Sequence, residues 1–124
     1  MTRVLLIEDE AELRALLVEE LEELGYAVTA AEHGAAGLAA LESLTPDVIL
    51  TDIGMPVMTG LEFVAAYLAR ADDRPAPVIA LSAFTTAEDI ARARAAGVVD
   101  YLRKPIDFDA LERAVTAHAP SAPT

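Results

Sequence analysis

Five polar side chains suited to charge chemistry sit where apolar runs end. Glu8 and Asp9 follow Val4-Leu5-Leu6-Ile7, Asp52 follows the run Val48-Ile49-Leu50, Ser82 follows Val78-Ile79-Ala80-Leu81, and Lys104 follows Val98 to Leu102. Three carboxylates brought together at neutral pH repel one another unless a proton, an ammonium or a metal ion compensates them. A hard divalent cation suits such oxygen donors, and Mg²⁺ in particular is satisfied by one or two carboxylates, several waters and a phosphate. A carboxylate can also act as a nucleophile and form an aspartyl phosphate, provided cations offset the incoming charge. Asp52, at the end of the most central apolar run, is best placed for that role. Lys104 is the single lysine among nine basic residues, a compact point charge in a chain that otherwise uses arginine. Taken one at a time, acids at such positions are commonly helix caps or turn residues, and lysines are commonly solvated. Agreement at four run ends favours a shared site.

These residues act together only if their apolar runs lie side by side. Val4 to Ile7 reads as a strand, and Leu13, Leu16, Leu17, Leu21 and Leu24 then form a helical stripe closed by Gly25. Tyr26 to Ala31 predicts a weaker strand, residues 34–43 an alanine-rich helix ending before Pro46, and Val48 to Leu50 a third strand. A turn containing Gly54 and Pro56 leads to a helix over 61–70 with Leu61, Val64 and Leu68 inward, and Asp72 to Pro75 forms the next turn. Val78 to Leu81 is the fourth strand, Thr86 caps a helix ending at Gly97, Val98 to Leu102 is the fifth strand, and 107–118 a last helix burying Leu111 and Val115. Five strands alternating with five helices predict an α/β fold with a doubly wound parallel sheet. In such sheets, sites form beyond the carboxyl ends of the strands, where all five polar residues fall. Residues 1–118 are expected to form one domain and 119–124, with Pro120 and Pro123, a flexible tail.

Composition narrows the function. The chain has 124 residues, 54 % of them hydrophobic and 24 % charged, which suits one packed domain and not a disordered chain. No apolar stretch approaches the ~18 residues that span a bilayer, and Glu8 interrupts the first run too early for a signal peptide, so a cytoplasmic location is expected. The absence of cysteine excludes disulfides, thiolate nucleophiles and cysteine-ligated metals. A net charge of −12 repels phosphate backbones and argues against direct nucleic-acid binding. That charge is lopsided: residues 1–62 hold 2 basic and 13 acidic side chains, residues 63–124 hold 7 and 8. His33 and His118 lie in or beside helices away from the strand ends and read as surface residues.

Four segments, in this order and spacing, resemble the receiver domain of two-component response regulators: Leu5-Leu6-Ile7-Glu8-Asp9, Asp52-Ile53-Gly54-Met55-Pro56 with Gly60, Leu81-Ser82-Ala83, and Asp100-Tyr101-Leu102-Arg103-Lys104-Pro105. The resemblance covers about residues 3–118 and implies a flavodoxin-like sheet of strand order 2-1-3-4-5. It implies that Asp52 accepts a phosphoryl group from the phosphohistidine of a sensor histidine kinase or histidine phosphotransfer protein. Mg²⁺ would be held by Asp9, Asp52 and the Gly54 carbonyl, with Glu8 helping through water, and Lys104 and Ser82 would hold the phosphoryl oxygens. Ser82 and Tyr101 would then switch position, remodelling the face made by the fourth helix, fifth strand and fifth helix for an output protein. Arg92, Arg94, Arg103 and Arg113 lie in the segments forming that face.

The sequence departs from the commonest family pattern in having Glu-Asp where Asp-Asp is usual and Ser82 where Thr is frequent. Gly54 and Phe84 stand at the two positions that in the family tune water attack on the phosphoryl group, so the resemblance implies that they bear on the lifetime of the phosphorylated state. A receiver-like binding module indifferent to phosphorylation would be expected to alter Asp52 or Lys104, and both are present. An aspartyl-phosphate hydrolase would need an acid where Gly54 stands, and a flavin protein a hydroxyl-rich loop where Glu8-Asp9-Glu10 stands. Beyond self-phosphorylation and slow self-dephosphorylation, no enzymatic activity is expected.

Overall fold

The computed structural model describes residues 1–54, 59–70, 75–83 and 86–119. Met55 and Pro56 of the first expected turn, Asp72 to Arg74 of the second, Phe84, and the tail from Pro120 onward lie outside them. Among the described residues ten elements alternate: β1 (Arg3–Ile7), α1 (Ala11–Glu23), β2 (Ala27–Ala31), α2 (Gly34–Ala40), β3 (Val48–Asp52), α3 (Gly60–Arg70), β4 (Val78–Ser82), α4 (Ala87–Ala96), β5 (Asp100–Arg103) and α5 (Phe108–His118). All strand pairs are parallel, in the order β2-β1-β3-β4-β5. This is the flavodoxin-like arrangement that the sequence implies.

Because side chains alternate across a strand, the apolar runs of β1, β3 and β4 feed two cores at once. Leu5, Ile7, Ile49, Val78 and Ala80 pack with Leu38, Phe63, Val64 and Tyr67 under α2, α3 and α4. Val4, Leu6, Val48, Leu50, Ile79 and Leu81 pack with Leu17, Leu21, Leu111 and Val115 under α1 and α5. Truncating any of the fully buried leucines to alanine costs roughly 2–5 kcal/mol, so the sheet is a rigid base for whatever its edge carries. β2 is an edge strand with Thr29 and Ala30 exposed, which is why its apolar signal is weak.

The helix ends follow from sequence chemistry. Gly25 takes φ 95°, with its N–H on Glu22 O (3.0 Å) and that of Tyr26 on Leu21 O (3.1 Å), the paired bonds of a glycine-terminated helix. Gly97 closes α4 in the same way at φ 114°. Thr86 and Asp89 form a reciprocal capping box at the start of α4. Two expectations about helix faces need correction. Leu16 is 52 % exposed, because Leu13, Leu17 and Leu21 form the inward stripe and Leu16 lies about a quarter-turn off it. On α3 Val64 is buried as expected, together with Phe63 and Tyr67, stacked with ring centroids 6.3 Å apart, while Leu61 and Leu68 are half-buried at the flanks.

Candidate functional site

β3 runs two polar residues beyond its apolar stretch and β4 one, so Asp52 and Ser82 are ladder residues held by the sheet itself. Asp52 aligns with Leu81 and Ser82 with Arg103. Beyond the ladder, the Ile53 N–H donates to Leu81 O and the Lys104 N–H to Ser82 O, which carries the β3–β4–β5 pairing into the site. Asp52 and Ser82 are buried, Lys104 and Tyr101 half-buried, and Asp9 and Gly54 exposed. Lys104 is joined to Pro105 by a cis peptide bond.

The lysine ammonium stands between two carboxylates. Lys104 Nζ donates to Asp52 Oδ2 at 2.8 Å and lies 2.8 Å from Glu8 Oε1. Asp52 Oδ1 accepts the Gly54 N–H at 2.8 Å. Burial raises the Asp52 carboxyl, but the Lys104 hydrogen bond and the Gly54 N–H outweigh it and leave the group below the ordinary aspartate value. Asp52 is therefore ionised at neutral pH. Burial lowers the Lys104 ammonium, while its contacts to Asp52 and Glu8 more than reverse the effect and raise it.

Glu8 is different. It is fully buried, and its desolvation outweighs the help from Lys104 and the Glu10 N–H, pushing it up to about 7. Its Oε2 accepts the Glu10 N–H at 3.1 Å, but Oε1 touches the ammonium without a directed hydrogen bond and has no hydrogen-bond partner among the described residues. One carboxylate oxygen from each of Glu8, Asp9 and Asp52 lies within 4.8 Å of the other two. The ionised Asp52, the incompletely satisfied Glu8 and the exposed carboxylate of Asp9 at the open side are a donor set that fits a hard divalent cation. Gly54 reaches the site through its N–H, whereas the family resemblance implied a role for its carbonyl.

The structure thus brings Glu8, Asp9, Asp52 and Lys104 together, with Ser82 and Gly54 beside them. Tyr101 is set back on β5 opposite Ala80, packed against the core under α2, α3 and α4. Neither histidine is a bare surface group. His33 caps α2, its Nδ1 accepting the Ala36 N–H at 3.0 Å, and His118 Nε2 lies 3.3 Å from Asp100 Oδ2, joining the end of α5 to the start of β5. Arg92 meets Asp89 at 3.7 Å.

The family model for the response regulator receiver domain matches residues 4–116. The chain belongs to that family. Among curated relatives, the receiver is 43 % identical over 108 residues to protein-glutamate methylesterase/protein-glutamine glutaminase 3 of Rhodospirillum rubrum, an alignment covering 85 % of this chain and 28 % of that protein. The chain spans well under half of that relative, whose named activity is its own. Among solved structures, the chemotaxis protein CheY4 of Vibrio cholerae superposes with a TM-score of 0.90 at 31 % identity, over 95 % of this chain and 98 % of that one. TrrA of Thermotoga maritima, solved in complex with Mg(2+)-BeF, superposes at 0.83 with 32 % identity, over 94 % and 98 %. A receiver is a signalling domain of two-component systems, and the strand-end acids of this one lie beyond the carboxyl ends of the strands, where open parallel sheets form their sites.

Two site residues were not anticipated. Arg14 sends its Nη1 back to Glu8 O at 2.9 Å, and Thr51 Oγ1 donates to Asp52 O at 3.0 Å. Arg14 did carry a signal, as one of only two basic residues in the first 62. Thr51 looked like strand filler.

Proposed function

We propose that this receiver is a phosphorylation switch in which Asp52 takes a phosphoryl group from the phosphohistidine of a sensor histidine kinase or phosphotransfer protein. The observation that carries the reading is the Asp52–Lys104–Glu8 contact at the carboxyl edge of the sheet, with Asp9 at its open side. An Asp52 oxygen attacks phosphorus in line, the P–N bond to the donor imidazole breaks, and the imidazole leaves with a proton from solvent. The product is an acyl phosphate on Asp52. Glu8, Asp9, Asp52 and the Gly54 carbonyl are the groups that would hold Mg²⁺, whose contribution when bound is to neutralise charge on the transferring phosphoryl group.

Lys104 exchanges part of its carboxylate pairing for a phosphoryl oxygen, and the Ser82 hydroxyl offers a further donor from the end of β4. Because Lys104 directly follows β5, which carries Tyr101, that exchange is transmitted along the strand to the face of α4, β5 and α5, where an output protein would read it. We take residues 1–118 as the switching unit and the cytoplasm, where histidine kinases present their phosphohistidines, as its compartment.

The test is incubation with acetyl phosphate and Mg²⁺ followed by intact-mass measurement. Wild type is expected to gain one phosphoryl group in a metal-dependent manner, and Asp52→Asn none. An adduct that persists in Asp52→Asn, or none in wild type with metal present, would reject the reading in favour of a phosphorylation-independent binding module.

A further inference from the structure

Glu8 is held at four points by four different parts of the chain. Its N–H donates to Ala31 O on β2 at 3.1 Å, its Oε2 accepts the Glu10 N–H, its Oε1 meets Lys104, and its carbonyl accepts Arg14 Nη1 at 2.9 Å. The fourth anchor is unlike the others. Glu8 stands one residue past β1, so its carbonyl has left the sheet ladder while the residue remains fully buried. A buried carbonyl without a partner costs about 1–3 kcal/mol, and Arg14 removes that cost from one turn inside α1. Within the turn the Glu10 N–H closes on Glu8 Oε2, but Glu10 makes no side-chain cap at the start of α1, so Arg14 is the side chain of α1 that ties the turn to the helix.

We infer that Arg14 is a positioning residue for the acidic site: its guanidinium, bonded to the Glu8 carbonyl, fixes the turn through Glu8, Asp9 and Glu10 so that the acids face Asp52. The inference rests on the proposed function only for the identity of the cation. Groups that orient metal ligands from outside typically change metal affinity 10–100-fold when removed. Positioning and plain charge make opposite predictions here. A cation beside an acidic site repels Mg²⁺, so if Arg14 acted by charge alone its removal would tighten binding. If it acts by holding the turn, removal weakens binding.

The experiment titrates Mg²⁺ into wild type, Arg14→Ala and Arg14→Lys, following the Asp9 and Gly54 amide signals by NMR, and measures amide hydrogen exchange at Asp9 and Glu10 in metal-free samples. Arg14→Ala is expected to weaken Mg²⁺ binding about tenfold or more and to speed exchange at Glu10, whose N–H bonds to Glu8 Oε2. Arg14→Lys, which keeps the charge but loses the forked donor, falls between. Unchanged or tighter Mg²⁺ binding in Arg14→Ala, or unchanged exchange at Glu10, overturns the inference. If wild type itself binds no Mg²⁺, the metal reading fails, and the metal-free exchange still decides the role of Arg14. Arg70→Ala, an exposed residue at the end of α3, is the control and should change neither quantity.

Discussion

Asp52 and Lys104, separated by 52 positions in the chain, meet with Oδ2 2.8 Å from Nζ at the carboxyl edge of the sheet. The same ammonium lies 2.8 Å from Glu8, so one cation offsets two carboxylates. Removing it leaves the acids facing each other with little solvent to screen them. Breaking a buried pair of this kind costs roughly 3 kcal/mol, more than either contact would contribute on the surface.

Lys104→Ala is therefore expected to lower metal-free stability by about 3 kcal/mol in urea denaturation at pH 8. The loss should be smaller at pH 6, where Glu8 can relieve the repulsion by taking a proton. Mg²⁺ should restore part of it. The variant should still accept phosphoryl from acetyl phosphate but show no phosphorylation-dependent NMR shifts at residues 98–106. A stability loss equal at both pH values and insensitive to Mg²⁺ would remove electrostatic compensation as the role of this lysine.

A second prediction follows from the opposite displacements of the two buried acids. Glu8 is raised from 4.5 to about 7, so between those values the folded protein holds a proton that the unfolded chain has released. Metal-free stability must then fall as pH rises through that window, by at most about 1.4 kcal/mol per pH unit for one proton. Asp52 is lowered below 3.8, so its contribution is present above that value and is lost only on further acidification. The metal-free melting temperature should thus decline from about pH 5 to pH 8, and Glu8→Gln should flatten the decline. Saturating Mg²⁺, which favours the charged carboxylate, should flatten it too. Melting curves in EDTA across that range provide the check, and a level profile in the wild type contradicts the assignment to Glu8.

Much of this site was legible because its parts are placed by the sheet. Glu8, Asp52, Ser82 and Lys104 each end or follow an apolar run, and a parallel sheet aligns such ends whatever the helices between them do. The helix faces were harder to read. On α3, Val64 was recognised, but an aromatic ring at Phe63 and a tyrosine with a polar tip at Tyr67 displaced Leu61 and Leu68 from the centre of the buried face. The Tyr67 hydroxyl has its own partner, the Ala76 N–H at 2.7 Å, which no periodicity could reveal. His33 is a similar case, since a ring nitrogen serving as a helix cap leaves no pattern beyond its place before the glycine of α2. Arg14 was hidden for a related reason: its role lies in one backbone carbonyl six residues away.

The last prediction concerns Gly60, the first residue of α3. A Cβ built there would lie 2.4 Å from Asp52 O and 2.5 Å from Ile53 Cα, both backbone atoms at the mouth of the site. Gly37, within α2, looks equally crowded, since a Cβ would lie 2.5 Å from Ile7 Cδ1. The difference is what must yield. Ile7 Cδ1 is the end of a side chain that can rotate, and alanine inside a helix gains about 1 kcal/mol over glycine, which offsets much of the crowding. Asp52 O is fixed by β3 and accepts the Thr51 hydroxyl, so relief at residue 60 must come from moving the start of α3 or the end of β3. Gly60→Ala should cost about 1–3 kcal/mol in urea denaturation and slow phosphoryl uptake from acetyl phosphate, because Asp52 shifts relative to Lys104. Gly37→Ala should cost less and leave uptake unchanged. Equal effects of the two substitutions on uptake would mean that the approach of α3 to the β3 backbone does not set the position of Asp52.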